Sequence, residues 1–170
     1  MSDTRPYRPN IGIALFNPDG LVFMGRATGS GPEIVLPGFD WQMPQGGIDK
    51  GEELERAARR ELFEETGVRS ADLLMITDEW WAYDFPPYDG PQHRLSPFRG
   101  QQQRWAAFRF TGDEDEIDIA KLSPGGDSIP EFLDWRWMPL ADAPALVVPF
   151  KRTVYERVAE AFGGFTARPS

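Results

Sequence analysis

Residues 46–68 read GGIDKGEELERAARRELFEETGV, a run of strong helix formers that also carries six glutamates. Whether those carboxylates face water or something else decides how the chain is organised. Gly67 followed by apolar Val68 predicts a left-handed helix stop with its hydrophobic contact. At the other end Asp49 stands three residues before Glu52, as in a capping box, with Gly51 as the alternative cap. A helix is therefore expected over residues 52–66. On its surface Leu54, Ala58, Glu61, Leu62 and Glu65 fall within about a quarter of the circumference, and Glu64 lies just beside Glu61. Arg56 and Arg59 take the opposite side. A solvated helix does not distribute charge in this way.

That placement has an energetic cost. Glu61 and Glu65 are an i, i+4 like-charge pair, unfavourable by a few tenths of a kcal/mol on an exposed helix. Near a core the penalty rises, because each ionised group loses hydration. Carboxylates converging there need something positive, and a divalent cation is the economical choice: Mg²⁺ and Mn²⁺ prefer oxygen ligands and tolerate several waters. The competing reading is an ordinary surface helix with Glu52–Arg56 or Glu55–Arg59 ion pairs.

The rest of the chain narrows the choice. Its 170 residues, 41% apolar, suit one domain spanning 1–170 with a packed core. The absence of cysteine excludes thiol nucleophiles, disulfides and thiolate metal sites. The start, MSDTRPYRPN, has no apolar signal core and no run reaches membrane-spanning length, so a cytoplasmic protein with no membrane partner is expected. A formal charge of −9 opposes a broad nucleic-acid-binding surface, which relies on many Lys and Arg contacts to phosphate. A nucleic-acid substrate would have to be gripped locally, at an end, and a polyphosphate would need cations to bridge it to an acidic site. Nothing in the sequence speaks to oligomeric state.

IGIALF (11–16) and LVFMGR (21–26) flank NPDG and read as a hairpin. Residues 27–40 are Gly- and Pro-containing and read as a loop, and WQMP (41–44) as a short extended piece. Strands are expected at 73–85, 103–110 and 132–140, with loops at 86–100 and 122–130, and a second helix is expected over about 150–162. The 86–100 loop is long enough for a binding role. Two helices on a mixed sheet make an α/β sandwich the simplest architecture. Trp105, Trp135 and Trp137, at strand spacing, read as core or near-core residues, and His93, the only histidine, as a solvated loop side chain.

Gly46, Glu52, Arg60, Glu61, Leu62, Glu64, Glu65, Gly67 and Val68 match, at every defined position, the signature of the Nudix hydrolases. The chain resembles that family, and YRPN (7–10), WQMPQGG (41–47), GQQQRW (100–105), PEFLDWRW (130–137) and VPFKRTVYERV (148–158) resemble its bacterial branch of RNA pyrophosphohydrolases and dinucleoside polyphosphate hydrolases. The resemblance implies an α/β/α sandwich with a mixed sheet, in which a loop-helix-loop presents carboxylates to one to three Mg²⁺ or Mn²⁺ ions. It implies Glu61, Glu64 and Glu65 as metal ligands, Arg60 as the residue that orients Glu52, and Gly46 and Gly47 as points where backbone comes close to phosphate or metal. A distal glutamate followed by Ile implies Glu116 as a further ligand, with Glu114 as its competitor. Arg8, Arg26, Tyr83, Phe150 and Lys151 are implied in substrate binding, Phe150 and Lys151 at the base. Some relatives carry two consecutive arginines after the second strand, whereas here Arg26 is followed by Ala27 and a longer loop.

The expected substrate is the 5′ end of a triphosphorylated RNA, losing pyrophosphate. Hydrolysis of diadenosine polyphosphates is the second expectation, and a non-catalytic nucleotide-binding Nudix module the third. The last predicts a damaged carboxylate set, and none is seen.

Overall fold

The computed structural model describes residues 3–120 and 130–167. Apolar alternation in IGIALF sends Ile11, Ile13 and Leu15 to one face of a strand and Ala14 and Phe16 to the other. All five are fully buried, which marks the strand as central and covered on both sides. This strand, β1 (Tyr7–Phe16), runs parallel to β7 (Gly100–Phe110), in register from Tyr7 opposite Gly100 to Phe16 opposite Arg109. Its other edge pairs antiparallel with β2 (Val22–Ala27) and with β4 (Gln45–Gly47). β2 continues to β3 (Trp41–Gln42) and β8 (Phe132–Met138), while β7 carries β5 (Ala71–Ile76) and β6 (Trp81–Asp84). The result is a mixed sheet of eight strands.

Helix α1 (Leu54–Thr66) packs Ala57, Ala58 and Leu62 against Ile11, Ile13, Leu15 and Phe108 on one face. The short α2 (Ala143–Leu146) and α3 (Arg152–Ala161) cover the other face, where Tyr155, Val158 and Phe162 meet Phe16, Met24 and Trp105. The Tyr155 hydroxyl accepts a hydrogen bond from the Met43 N–H at 2.8 Å, fixing the WQMP segment to α3. The layers are those expected of the α/β/α sandwich.

Several boundaries differ from the sequence expectation. The strand expected at 73–85 is two strands, because Thr77 leaves the ladder: its N–H donates to the Trp105 carbonyl and its hydroxyl accepts from the Trp105 N–H. The strand expected to reach 140 stops at Met138, ahead of Pro139, which has no N–H to donate. The second helix begins at Arg152 after a 3-10 turn at Pro149–Lys151. Helix α1 begins at Leu54 rather than 52. Glu53 holds the cap position without a side-chain bond, and Glu52 instead accepts the Asp49 N–H at 3.0 Å in the preceding loop. Of the loop expected at 122–130, residues 122–129 lie outside the described residues.

The helix stop is as expected. Gly67 has φ 76° and its N–H reaches the Phe63 carbonyl. A Cβ there would lie 3.1 Å from the Glu116 carbonyl oxygen, in a backbone region that L-residues rarely adopt. Gly67→Ala is expected to cost about 1 kcal/mol, lowering Tm by about 2–4 °C in a calorimetric scan.

Candidate functional site

The glutamates of α1 open into a cleft of about 320 Å³ bordered by β4, the beginnings of β1 and β7, and the 27–40 and 86–100 loops. Glu61, Glu64, Glu65 and Glu131 bring carboxylates to it, and Arg8 and Arg94 bring guanidinium groups. Glu33, Gln45, Asn10 and Gln101 also line it. Approach between β4 and α1 requires glycine. A Cβ on Gly46 would sit 1.9 Å from the Glu61 carboxyl, and one on Gly47 2.1 Å from Arg8 Nη2.

Arg60 holds this corner together. It donates from Nε and Nη2 to both Glu52 oxygens at 2.8 Å, from Nη2 to the Gly47 carbonyl at 2.9 Å, and from Nη1 to Glu61 Oε1 at 2.7 Å. Glu64 Oε2 lies at 3.5 Å. These bonds hold the Glu52 carboxyl down at about 2. Burial pushes Glu61 up to about 7, outweighing the opposing pull of Arg60. Burial, then repulsion from Glu131 and Glu61, pushes Glu65 well above the ordinary range, although Oε2 accepts the Gln45 N–H at 3.3 Å.

Among the described residues no three acidic or histidine side chains already surround one point at ion-binding spacing. The donor chemistry nevertheless fits a divalent cation. Oxygen donors from Glu61, Glu64, Glu65 and Glu131 share one cleft, and the unfavourable ionisation of Glu61 and Glu65 is what a nearby cation would relieve.

The structure brings Arg8 to the cleft, with Nη1 on Gln101 Oε1 at 3.3 Å. Tyr83 and Lys151 lie one layer deeper, both on Glu33. The Tyr83 hydroxyl donates to Glu33 Oε1 at 2.5 Å, Lys151 Nζ stands 3.3 Å from the same oxygen, and Gln101 Nε2 donates to it at 2.6 Å. Burial alone would raise the Glu33 carboxyl, but Lys151 and the hydrogen bonds of Tyr83, Gln101 and Gln45 hold it below the usual range. Lys151 is 2% exposed, so its charge is spent on Glu33 and Gln42. Phe150 packs on the Tyr83 ring at 5.6 Å, half-buried.

Other residues expected at the site are placed elsewhere. Glu116 is not in the cleft: its oxygens accept the Arg69 and Ser70 N–H groups and the Ser70 hydroxyl at 2.8, 2.9 and 2.6 Å, beyond the end of α1. Its competitor Glu114 accepts the Trp137 indole N–H at 2.7 Å. Arg26 points outward to Asp40 at 3.1 Å. Nor is His93 merely solvated, since its Nε2 lies 2.8 Å from Ser30 Oγ. Among the charged residues that line the cleft, the sequence reading left Glu33, Arg94 and Glu131 unassigned. For Glu131 the signal was present, inside the PEFLDWRW segment.

The NUDIX domain model matches residues 6–158, and the chain belongs to that family of hydrolases. It is 51% identical over 160 residues to the RNA pyrophosphohydrolase of Afipia carboxidovorans, covering 94% of each chain. Against the RNA pyrophosphohydrolase of Azorhizobium caulinodans it is 53% identical over 161 residues, again covering 94% of each. In fold it is similar to the E. coli dihydroneopterin triphosphate pyrophosphohydrolase, with a TM-score of 0.60 at 18% identity, over 92% of this chain and 99% of that one. Among the described residues no helix is long and apolar enough to cross a membrane.

The Glu33–Lys151 pair makes a prediction. Glu33→Gln leaves a buried ammonium unneutralised and is expected to cost about 3 kcal/mol, the low end for such pairs because Glu33 keeps some solvent contact. Adding Lys151→Met should recover most of that loss in urea denaturation, whereas an additive loss would show that the pair is not coupled.

Proposed function

We propose that this Nudix hydrolase removes pyrophosphate from 5′-triphosphorylated RNA ends, using Mg²⁺ or Mn²⁺ held by Glu61, Glu64, Glu65 and Glu131. The observation that carries the reading is the cleft itself, where these four carboxylates share one wall system with Arg8. The names of relatives about half identical over nearly the whole chain support the substrate. That substrate implies a cytoplasmic location.

When bound, the ions neutralise phosphate oxygens and lower the pKa of the attacking water. Arg60 keeps Glu61 and Glu64 turned toward the cleft and anchors Glu52 behind them. Gly46 leaves the Glu61 carboxylate room to reach substrate-side ligands. Arg8 pairs with the phosphate oxygens as the water oxygen adds to phosphorus. The P–O bond to the leaving pyrophosphate then breaks, and a carboxylate of this set takes the water proton.

A second reading, hydrolysis of dinucleoside polyphosphates, is favoured by the charge of −9, which suits a small nucleotide better than a long polyanion. Rates on 5′-triphosphorylated RNA and on diadenosine tetraphosphate, measured together in Mg²⁺, separate the two; a large preference for the dinucleotide would reverse the ranking. Glu64→Gln and Glu131→Gln should each lower kcat by roughly 100-fold or more, about 3 kcal/mol of barrier, with an unchanged fold. Glu116→Gln should leave kcat within about twofold, well under 1 kcal/mol. Full activity of the Glu64 variant would sink the metal-site assignment.

A further inference from the structure

Arg26, near the end of β2, is the cation expected beside the phosphates, but its side chain is exposed and ion-paired with Asp40. Arg94 stands in the cleft instead. Its backbone is fixed by a compact turn. The His93 N–H donates to Ser96 Oγ at 2.9 Å, the Ser96 N–H to the His93 carbonyl at 2.9 Å, and the Leu95 N–H to His93 Nδ1 at 3.1 Å. Leu95, 2% exposed, anchors the turn. Because Nδ1 accepts, the neutral imidazole carries its proton on Nε2 and donates it to Ser30 Oγ, tying the 86–100 loop to the 27–40 loop. Gly31 lies so close under the ring that a Cβ would come within 2.5 Å of it.

The Arg94 side chain itself is exposed, and among the described residues no carboxylate lies within ion-pairing distance of it. Among the described residues Arg8 likewise has no ion pair, and its Nη1 donates to the Gln101 oxygen. Two unpaired guanidiniums facing one cleft repel each other, and Arg8 is depressed first by burial and next by Arg94. An anion with several oxygens reverses that repulsion by accepting from both forks.

We propose that Arg94 and Arg8 form a two-arginine grip on the substrate's polyphosphate, with Arg94 filling the place that Arg26 leaves. This rests on the pyrophosphohydrolase reading for the identity of the substrate, but not for the existence of the grip. The grip addresses phosphate oxygens, so it serves any linear polyphosphate end rather than a particular base. The loop-to-loop bond through His93 sets where Arg94 stands.

Titration calorimetry with inorganic pyrophosphate, alongside steady-state kinetics on 5′-triphosphorylated RNA, tests the assignment. Arg94→Ala and Arg8→Ala should each weaken pyrophosphate binding roughly tenfold, the loss of one charge-assisted contact. Arg94→Ala should also raise KM for the RNA more than it lowers kcat. Arg94→Lys should restore part of the binding, because lysine returns the charge without the fork. Arg26→Ala should bind and turn over as the unaltered protein does. Unchanged pyrophosphate binding in Arg94→Ala, or a larger loss in Arg26→Ala, overturns the grip. If the unaltered protein hydrolyses neither RNA nor diadenosine tetraphosphate yet binds pyrophosphate through Arg94, the functional reading falls and the grip stands.

Discussion

The site depends on one guanidinium. Arg60 joins the loop that precedes α1 to the helix itself, with Glu52 and the Gly47 carbonyl on one side and Glu61 and Glu64 on the other. Without that cation the acidic side chains of α1 would face one another at the edge of a core, and repulsion would turn them to solvent. A planar fork can serve four acceptors in fixed directions, which a lysine ammonium cannot. The same guanidinium touches Glu52 and Glu61 with opposite outcomes. Two paired oxygens hold Glu52 ionised far into acid, whereas for Glu61 the loss of hydration outweighs a single bond. Structural support and chemical poise are thus assigned to different carboxylates by one side chain.

A second constraint runs beneath the cleft. Glu33 can only accept, so Gln45 and Gln101 must both turn their amide nitrogens to it. The Gln101 oxygen is then left for Asn10 Nδ2 and Arg8, and the Gln45 oxygen for Gln103 Nε2. Gln103 in turn offers its oxygen to the Trp105 indole N–H. One buried carboxylate therefore sets the direction of a chain of amides. This accounts for why YRPN, WQMPQGG and GQQQRW share polar residues on strands that are otherwise apolar: they are the floor that aims Arg8 into the cleft.

What was legible in the sequence was local. The hairpin, the αL stop at Gly67 and the placement of Glu61 on the buried side of α1 follow from periodicity and from glycine, and all three are found. What was not legible depends on strands remote in sequence. Glu131 reaches the cleft because β8 pairs with β2, setting Phe132 opposite Ala27. Glu116 lies in the acidic run that follows β7, as expected, but amides beyond the end of α1 capture its carboxylate, and no count along the chain reveals that. Lys151 in the FKR segment looks like a free cation until the distant loop delivers Glu33 to it. The break in the strand expected at 73–85 likewise comes from a side chain, Thr77, replacing backbone against β7.

The overall charge completes the logic of the cleft. A chain at −9 repels a polyanion at distances up to about a Debye length, so recognition must be concentrated where cations remain available. Most arginines near the sheet are already engaged. Arg99 pairs with Asp84, Arg109 donates to the Asn17 and Phe165 carbonyls, and Arg104 donates to the Thr77 carbonyl. Arg8 and Arg94 keep their charge directed into the cleft, beside carboxylates that gain from a divalent ion. A compact run of phosphates would answer both halves at once, pairing with the guanidinium forks directly and with the glutamates through a divalent cation they would hold. A nucleic-acid body presents its phosphates one at a time along the strand, so an acidic surface around a mixed-charge cleft suits the proposed reading of an end better than that of a strand.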